Sequence, residues 1–310
     1  MISIFPLIGA SETPTNLGLL FVTGGSTDNS ELIDLTGQKR ICSTIDPIPT
    51  RALGSFSLLN RDGEPMVCAL GSAYICFSLF GSNRTWSEGI PLDFFPYYNR
   101  AVLVGDPALR NYWIMGGGYR ASPRTSYYYN GVDQFTESQR EVATDVFGDC
   151  LLRLAEDEQL LVNDETWMIK DGTWTKQAAN FQWEAENSQQ RTFQFGICGL
   201  VYDKDGNPEK AVVGAGTYGD IFTQIFDIAT RSWRRGPNLP GSRYETVNVA
   251  AGRSFLVVGG NTKVDGTETR VATVIEFNPD SEEWVIRPER LSTGRSNMYA
   301  IMVDENVIAC

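Results

Sequence analysis

Three side chains carry the types and spacing that could move protons. Glu245 and Asp149 occupy equivalent offsets in the repeat described below, and Arg243 lies two residues before Glu245. A carboxylate beside an arginine can act as a general acid or base. The chain holds no histidine. That removes His-ligated zinc, copper and iron, Ser-His-Asp triads and Cys-His dyads. Gly116-Gly117-Gly118 is not a phosphate loop, because neither GK[ST] nor a helix follows it. Asp203-Lys-Asp-Gly-Asn207 has the look of half a calcium loop, but Pro208 stands where such a loop has its glycine. It reads as a hairpin turn. The six cysteines (Cys42, Cys68, Cys76, Cys150, Cys198, Cys310) contain no CxxC pair and no metal-ligand spacing. No metal and no cofactor are expected.

Charge and composition narrow the partners. The 310 residues carry 26 basic and 38 acidic side chains, a net charge of −12, and 42% are hydrophobic. That apolar content suffices for a large core. The acidic balance argues against nucleic acid, since phosphate binding needs clustered Lys and Arg. No run reaches the 18 or so apolar residues of a membrane span. Met1–Ala10 is apolar but lacks a basic leader and contains Pro6, so it is read as packing against the domain. The compartment stays open between cytoplasm and secretion. Asn83-Arg84-Thr85 fits a glycosylation sequon, and Cys68 and Cys76 would face each other across a hairpin if its loop is three residues long.

The elements that must position such residues announce themselves by repetition. Apolar runs ending in glycine recur: Gly18–Gly25, Pro65–Gly71, Tyr112–Gly118, Ala211–Gly216 and Ser254–Gly260, with Gln159–Asn163 filling the fourth place without a glycine. A second comb, Arg51, Asn99, Phe147, Phe195 and Arg243, has a spacing of 48 residues, and Arg295 follows 52 later. Each unit reads as four short strands. In the last one these are a strand to Ala251, Ser254–Gly260, Thr269–Asn278 and Glu282–Ile286. Asp-Gly at Asp62-Gly63 and Asp205-Gly206 supplies the positive φ that tight hairpins need. The expectation is an all-β, six-bladed β-propeller of four-stranded antiparallel blades, forming one domain over residues 1–310. Units start near 18, 51, 99, 147, 195 and 243. The stretch 295–303 supplies the innermost strand of the first blade and closes the ring, with no role assigned to Asn306–Cys310.

Gly24-Gly25, Gly259-Gly260, and Trp86, Trp174, Trp233 and Trp284 ahead of segments such as Pro237–Pro240 carry a family likeness. The chain resembles the kelch-repeat β-propellers. The tryptophans are expected to pack between blades, where an aromatic buries much area.

In such a ring the loops divide between two faces. Those joining first to second strands sum to −6, half the net charge. The opposite face carries a basic sector of Arg235, Arg243, Arg287, Arg290, Arg295 and Arg51, with Tyr119, Arg120 and Arg124 in a long loop. Arginines here have two readings. They cap neighbouring carbonyls, or they join Tyr98, Tyr119, Tyr218 and Tyr244 as a recognition surface of the residue types that dominate hot spots. The resemblance implies the latter: kelch propellers that recruit partners grip acidic peptide segments on this face. Carried over, it nominates Arg51, Arg100, Arg243 and Arg295, with Phe147 and Phe195 breaking the pattern. The expected function is a monomeric protein-interaction module. The alternatives are a sugar-directed mutarotase-like or lyase-like enzyme using Glu245, Asp149 and Arg243 at the channel mouth, and a secreted structural protein.

Overall fold

Short apolar strands separated by turn residues can satisfy their backbone by pairing with one another, and the described strands do so. The structure, a computed structural model, describes residues 18–25, 30–36, Trp86, the strands between 56 and 137, 150–155, 158–162, 165–170, 173–177, 196–216, 221–264 and 266–303. Among these residues every regular element is a β-strand and every pairing is antiparallel. The chain divides into two compact units. One contains Thr15–Phe147 and Asn297–Cys310, the other Gly148–Ser296.

The first unit holds three sheets. β1 (Leu19–Gly24) is buried along its whole length and pairs on one side with β2 (Glu31–Asp34). β3 (Phe56–Arg61), β4 (Glu64–Leu70), β5 (Ala73–Ser78) and β6 (Ile90–Pro91) form a four-stranded meander, and its register sets Cys68 opposite Cys76 as the hairpin reading expects. β7 (Val102–Asp106), β8 (Asn111–Met115), β9 (Ser126–Tyr129) and β10 (Phe135–Glu137) form another. The last strand of the chain, β25 (Met298–Val303), lies along the other side of β1, in register from Leu19 opposite Val303 to Gly24 opposite Met298. A C-terminal strand therefore completes one edge of the N-terminal sheet, as the spacing of the final unit predicts.

The second unit repeats the meander three times. β11 (Cys150–Arg153), β12 (Glu158–Val162), β13 (Thr166–Lys170) and β14 (Thr173–Lys176) make one sheet, and β15 (Ile197–Tyr202), β16 (Pro208–Gly214), β17 (Thr223–Asp227) and β18 (Ser232–Arg235) the next. The third consists of β19 (Val247–Ala251), β20 (Ser254–Val258), β23 (Thr273–Asn278) and β24 (Glu283–Arg290), with a hairpin of β21 (Asn261–Val264) and β22 (Thr267–Arg270) inserted at its middle connection. This differs from the sequence reading. The third strand begins at Thr273 and not at Thr269, because Thr267–Arg270 pairs locally with Asn261–Val264.

Neighbouring sheets of this unit pack face to face on two apolar layers. Cys150, Leu160, Val162 and Met168 meet Leu200, Ala211, Val213 and Phe226. Ile197, Val201, Val212 and Ile225 meet Phe255, Val257, Ile275 and Phe277. The approach is closest at Gly199, where a Cβ would sit 2.1 Å from the Phe255 ring. Two tryptophans tie sheet to sheet as expected. Trp233 rests on Phe226 with 5.0 Å between ring centroids and donates through Nε1 to Thr166 Oγ1 of the preceding sheet at 3.3 Å. Trp284 packs edge-on against Phe277 and Phe255 and donates to Pro237 O at 3.3 Å. Trp174 instead meets Trp167 of its own sheet.

Turn chemistry follows the sequence closely. At Asp203–Asn207 the Asp203 carboxylate accepts the backbone N–H groups of Asp205 and Asn207, and Gly206 takes φ +85°. These bonds hold the Asp203 carboxyl below its ordinary value, Asn207 contributing most. The segment is the hairpin turn that Pro208 led us to expect.

Candidate functional site

In a four-stranded meander the connection between second and third strands and the exit from the fourth lie at the same end of the sheet. In the last sheet of the second unit this end gathers Arg243, Tyr244, Glu245, the β21–β22 hairpin and Arg290. Local backbone conformation sets their places. Arg243 and Arg295 stand 52 residues apart, and each is followed two positions later by a residue in the left-handed region, Glu245 at φ +53° and Asn297 at φ +52°. After the kink the chain enters β19 in the one case and β25 in the other.

Arg243 is buried, 6% exposed, and its guanidinium is spent inside its own sheet. Nη1 donates to Gly259 O at 3.2 Å and Thr273 O at 3.1 Å, and Nη2 to Thr273 Oγ1. Burial lowers its pKa to about 10, so it stays cationic at neutral pH. Arg295 is buried further, at 1% exposure, and its carbonyl accepts the N–H of Gly260 at 2.9 Å. Both nominations as partner-gripping side chains need correction here. Of the two readings, the carbonyl-capping one describes Arg243, and neither guanidinium has an outward surface to offer.

Tyr244 is the keystone of the hairpin. Its backbone bridges Asn261 in both directions, at 3.0 and 2.8 Å, and its hydroxyl donates to Glu268 Oε2 at 2.5 Å. Burial, and then the Glu268 carboxylate, push the phenol pKa well above its ordinary value. It anchors the hairpin from below and is 6% exposed, so it is no surface hot spot. Ser242 Oγ lies 3.1 Å from Thr262 Oγ1, a second tie. Gly260 cannot be replaced in this joint. It has φ +97°, and a Cβ would meet Thr246 Cγ2 at 2.5 Å and Tyr244 O at 2.7 Å.

Glu245 accepts a hydrogen bond from Asn261 Nδ2 at 2.8 Å. Arg243 turns to carbonyls and not to this carboxylate, so the acid–base pairing imagined for them is not built. Asp149, Arg51, Arg100, Tyr98, Tyr119, Arg120, Arg124 and Tyr218 lie outside the described residues, as do the sequon and the remaining two comb residues of the pattern break, Phe147 and Phe195.

What this end does expose is a set of other cations. All four residues of β22 are exposed, Arg270 among them, and so are Lys263 and Arg290; Arg235, the last residue of β18 in the preceding sheet, is exposed as well. None of these four cations makes an ion pair among the described residues; Arg235 lies over the Phe222 ring at 4.9 Å. Arg287, by contrast, is occupied by Glu276 and Glu289, each at 2.9 Å. Sequence reasoning missed the hairpin because Asn261–Val264 and Thr267–Arg270 show no apolar face. It missed one further feature, a disulfide between Cys150 and Cys198, although their separation of 48 residues equals the comb period.

No family model matches this chain, and no curated protein matches it. A solved structure does. The chain is similar to YjhT, with 13% sequence identity and a TM-score of 0.61 over 92% of this chain and 99% of that one. At this identity the likeness speaks to the fold alone.

Proposed function

We propose that the chain is a kelch-like propeller of six four-stranded sheets, closed by β25 in the first sheet, and that it works as a protein-interaction module for an acidic segment. The closure reading draws on the β1–β25 register. The binding reading rests chiefly on one observation. At the end where the anchored hairpin projects, Lys263, Arg270 and Arg290, and Arg235 at the end of β18 in the preceding sheet, are exposed without ion pairs among the described residues, while Arg243 and Glu245 are committed to internal hydrogen bonds. Exposed cations on a fixed scaffold favour an anionic peptide by steering and by charge-assisted hydrogen bonds. Internal bonding leaves little for catalysis by that pair.

The test reverses the exposed set and leaves the buried one alone. Wild type and an Arg235→Glu/Lys263→Glu/Arg270→Glu/Arg290→Glu variant with the same melting temperature are used as bait in native extract. The expected result is a protein with an acidic segment that wild type retains and the variant loses. Equal capture by the two baits would sink the proposal.

A further inference from the structure

Cys150 opens β11 and Cys198 is the second residue of β15, so each lies on the first strand of its own sheet. The two strands are not paired: β11 and β15 belong to different sheets, and no backbone ladder joins them. At that place the sulfurs are bonded, with the Cα atoms 5.7 Å apart. The pair sits within the apolar layer of Leu160, Val162, Leu200 and Val213; Cys150 is 1% exposed and Cys198 half-buried. The separation is one repeat, 48 residues, so the same position of two successive units carries cysteine.

We infer that Cys150–Cys198 is a structural cross-sheet bridge in the working protein, and that the chain therefore folds and acts in an oxidising compartment. Cytosolic thiol pools keep such pairs reduced, whereas secreted and extracytoplasmic proteins retain them. The bond forms by thiol–disulfide exchange with a donor disulfide. Both thiols lose their protons, two electrons pass to the donor, and the donor leaves as two thiols. Burial of Cys150 then shields the bond from later exchange, as suits a permanent staple rather than a switch.

The experiment takes protein from its native source, quenches in acid, alkylates without reductant, and maps peptides by mass spectrometry alongside cell fractionation. The expected result is one linked peptide pair holding Cys150 and Cys198, two hydrogens lighter than the separate thiol peptides, from an extracytoplasmic fraction. Alkylated Cys150 and Cys198 would overturn the bridge. A linked pair from the cytosolic fraction would overturn the compartment. Stability supplies an independent reading: a Cys150→Ser/Cys198→Ser variant should melt about 6 °C below oxidised wild type. If the variant fails to fold, reductant added to wild type should give the same drop. A wild-type melt unmoved by full reduction of this pair would refute the staple.

Discussion

Arg243 shows how one residue type can be read correctly for chemistry and wrongly for direction. A guanidinium offers five donors in a fixed fork, and that fork serves a partner's carboxylate or the chain's own carbonyls equally well. Here it closes on Gly259 O and on Thr273 O and Oγ1. Arg243→Lys keeps the charge but cannot span these acceptors; Thr273 O keeps the N–H of Gly259, while Gly259 O and Thr273 Oγ1 lose the guanidinium. The substitution should cost about 2 kcal/mol of stability, measured by denaturant unfolding. A change below about 0.5 kcal/mol would return Arg243 to the surface role first imagined for it. Glu245 is the companion case. Its left-handed backbone and its bond from Asn261 give it a positional task, which no property of an isolated glutamate would reveal.

At the scale of the element, the contact between neighbouring sheets is tightest where Phe255 lies on the bare backbone of Gly199. Gly199→Ala places a methyl inside the ring's own volume, so β15 or β20 must shift. The expected loss is about 2 kcal/mol, read as a lower thermal midpoint, and an unchanged midpoint would mean the two sheets are not packed this closely. Much at this scale was legible beforehand. Gly206 does lie at its turn with positive φ, though Asp205 does not share it, and Gly24, Gly25, Gly259 and Gly260 take positive φ where their strands end, because such backbone chemistry is local and needs no knowledge of distant residues. The tryptophans Trp233 and Trp284 could be placed because bulky aromatics have few places to go except between layers. The β21–β22 hairpin was illegible for the converse reason. The four exposed side chains of β22 bury no face, so no alternation marks it. The Cys150–Cys198 bond was visible as a coincidence of spacing, but spacing alone does not say which faces of two strands meet.

For the molecule as a whole, the pairing of β25 with β1 is the strand pairing of longest reach among the described residues. Removing Met298–Cys310 would strip six register partners from a strand whose residues are wholly buried. The expected result is loss of a cooperative thermal transition, or aggregation, and not a small shift in midpoint. A truncated chain that melts like the full one would show that the N-terminal sheet stands without its last strand. The same pairing has a further consequence in the order of synthesis. The apolar strand Leu19–Gly24 leaves the ribosome among the first described residues, and its neighbour Met298–Val303 among the last. At about 5–20 residues per second, translation keeps that hydrophobic edge waiting for on the order of tens of seconds. Chaperone dependence during synthesis, concentrated on the first unit, is written into the topology.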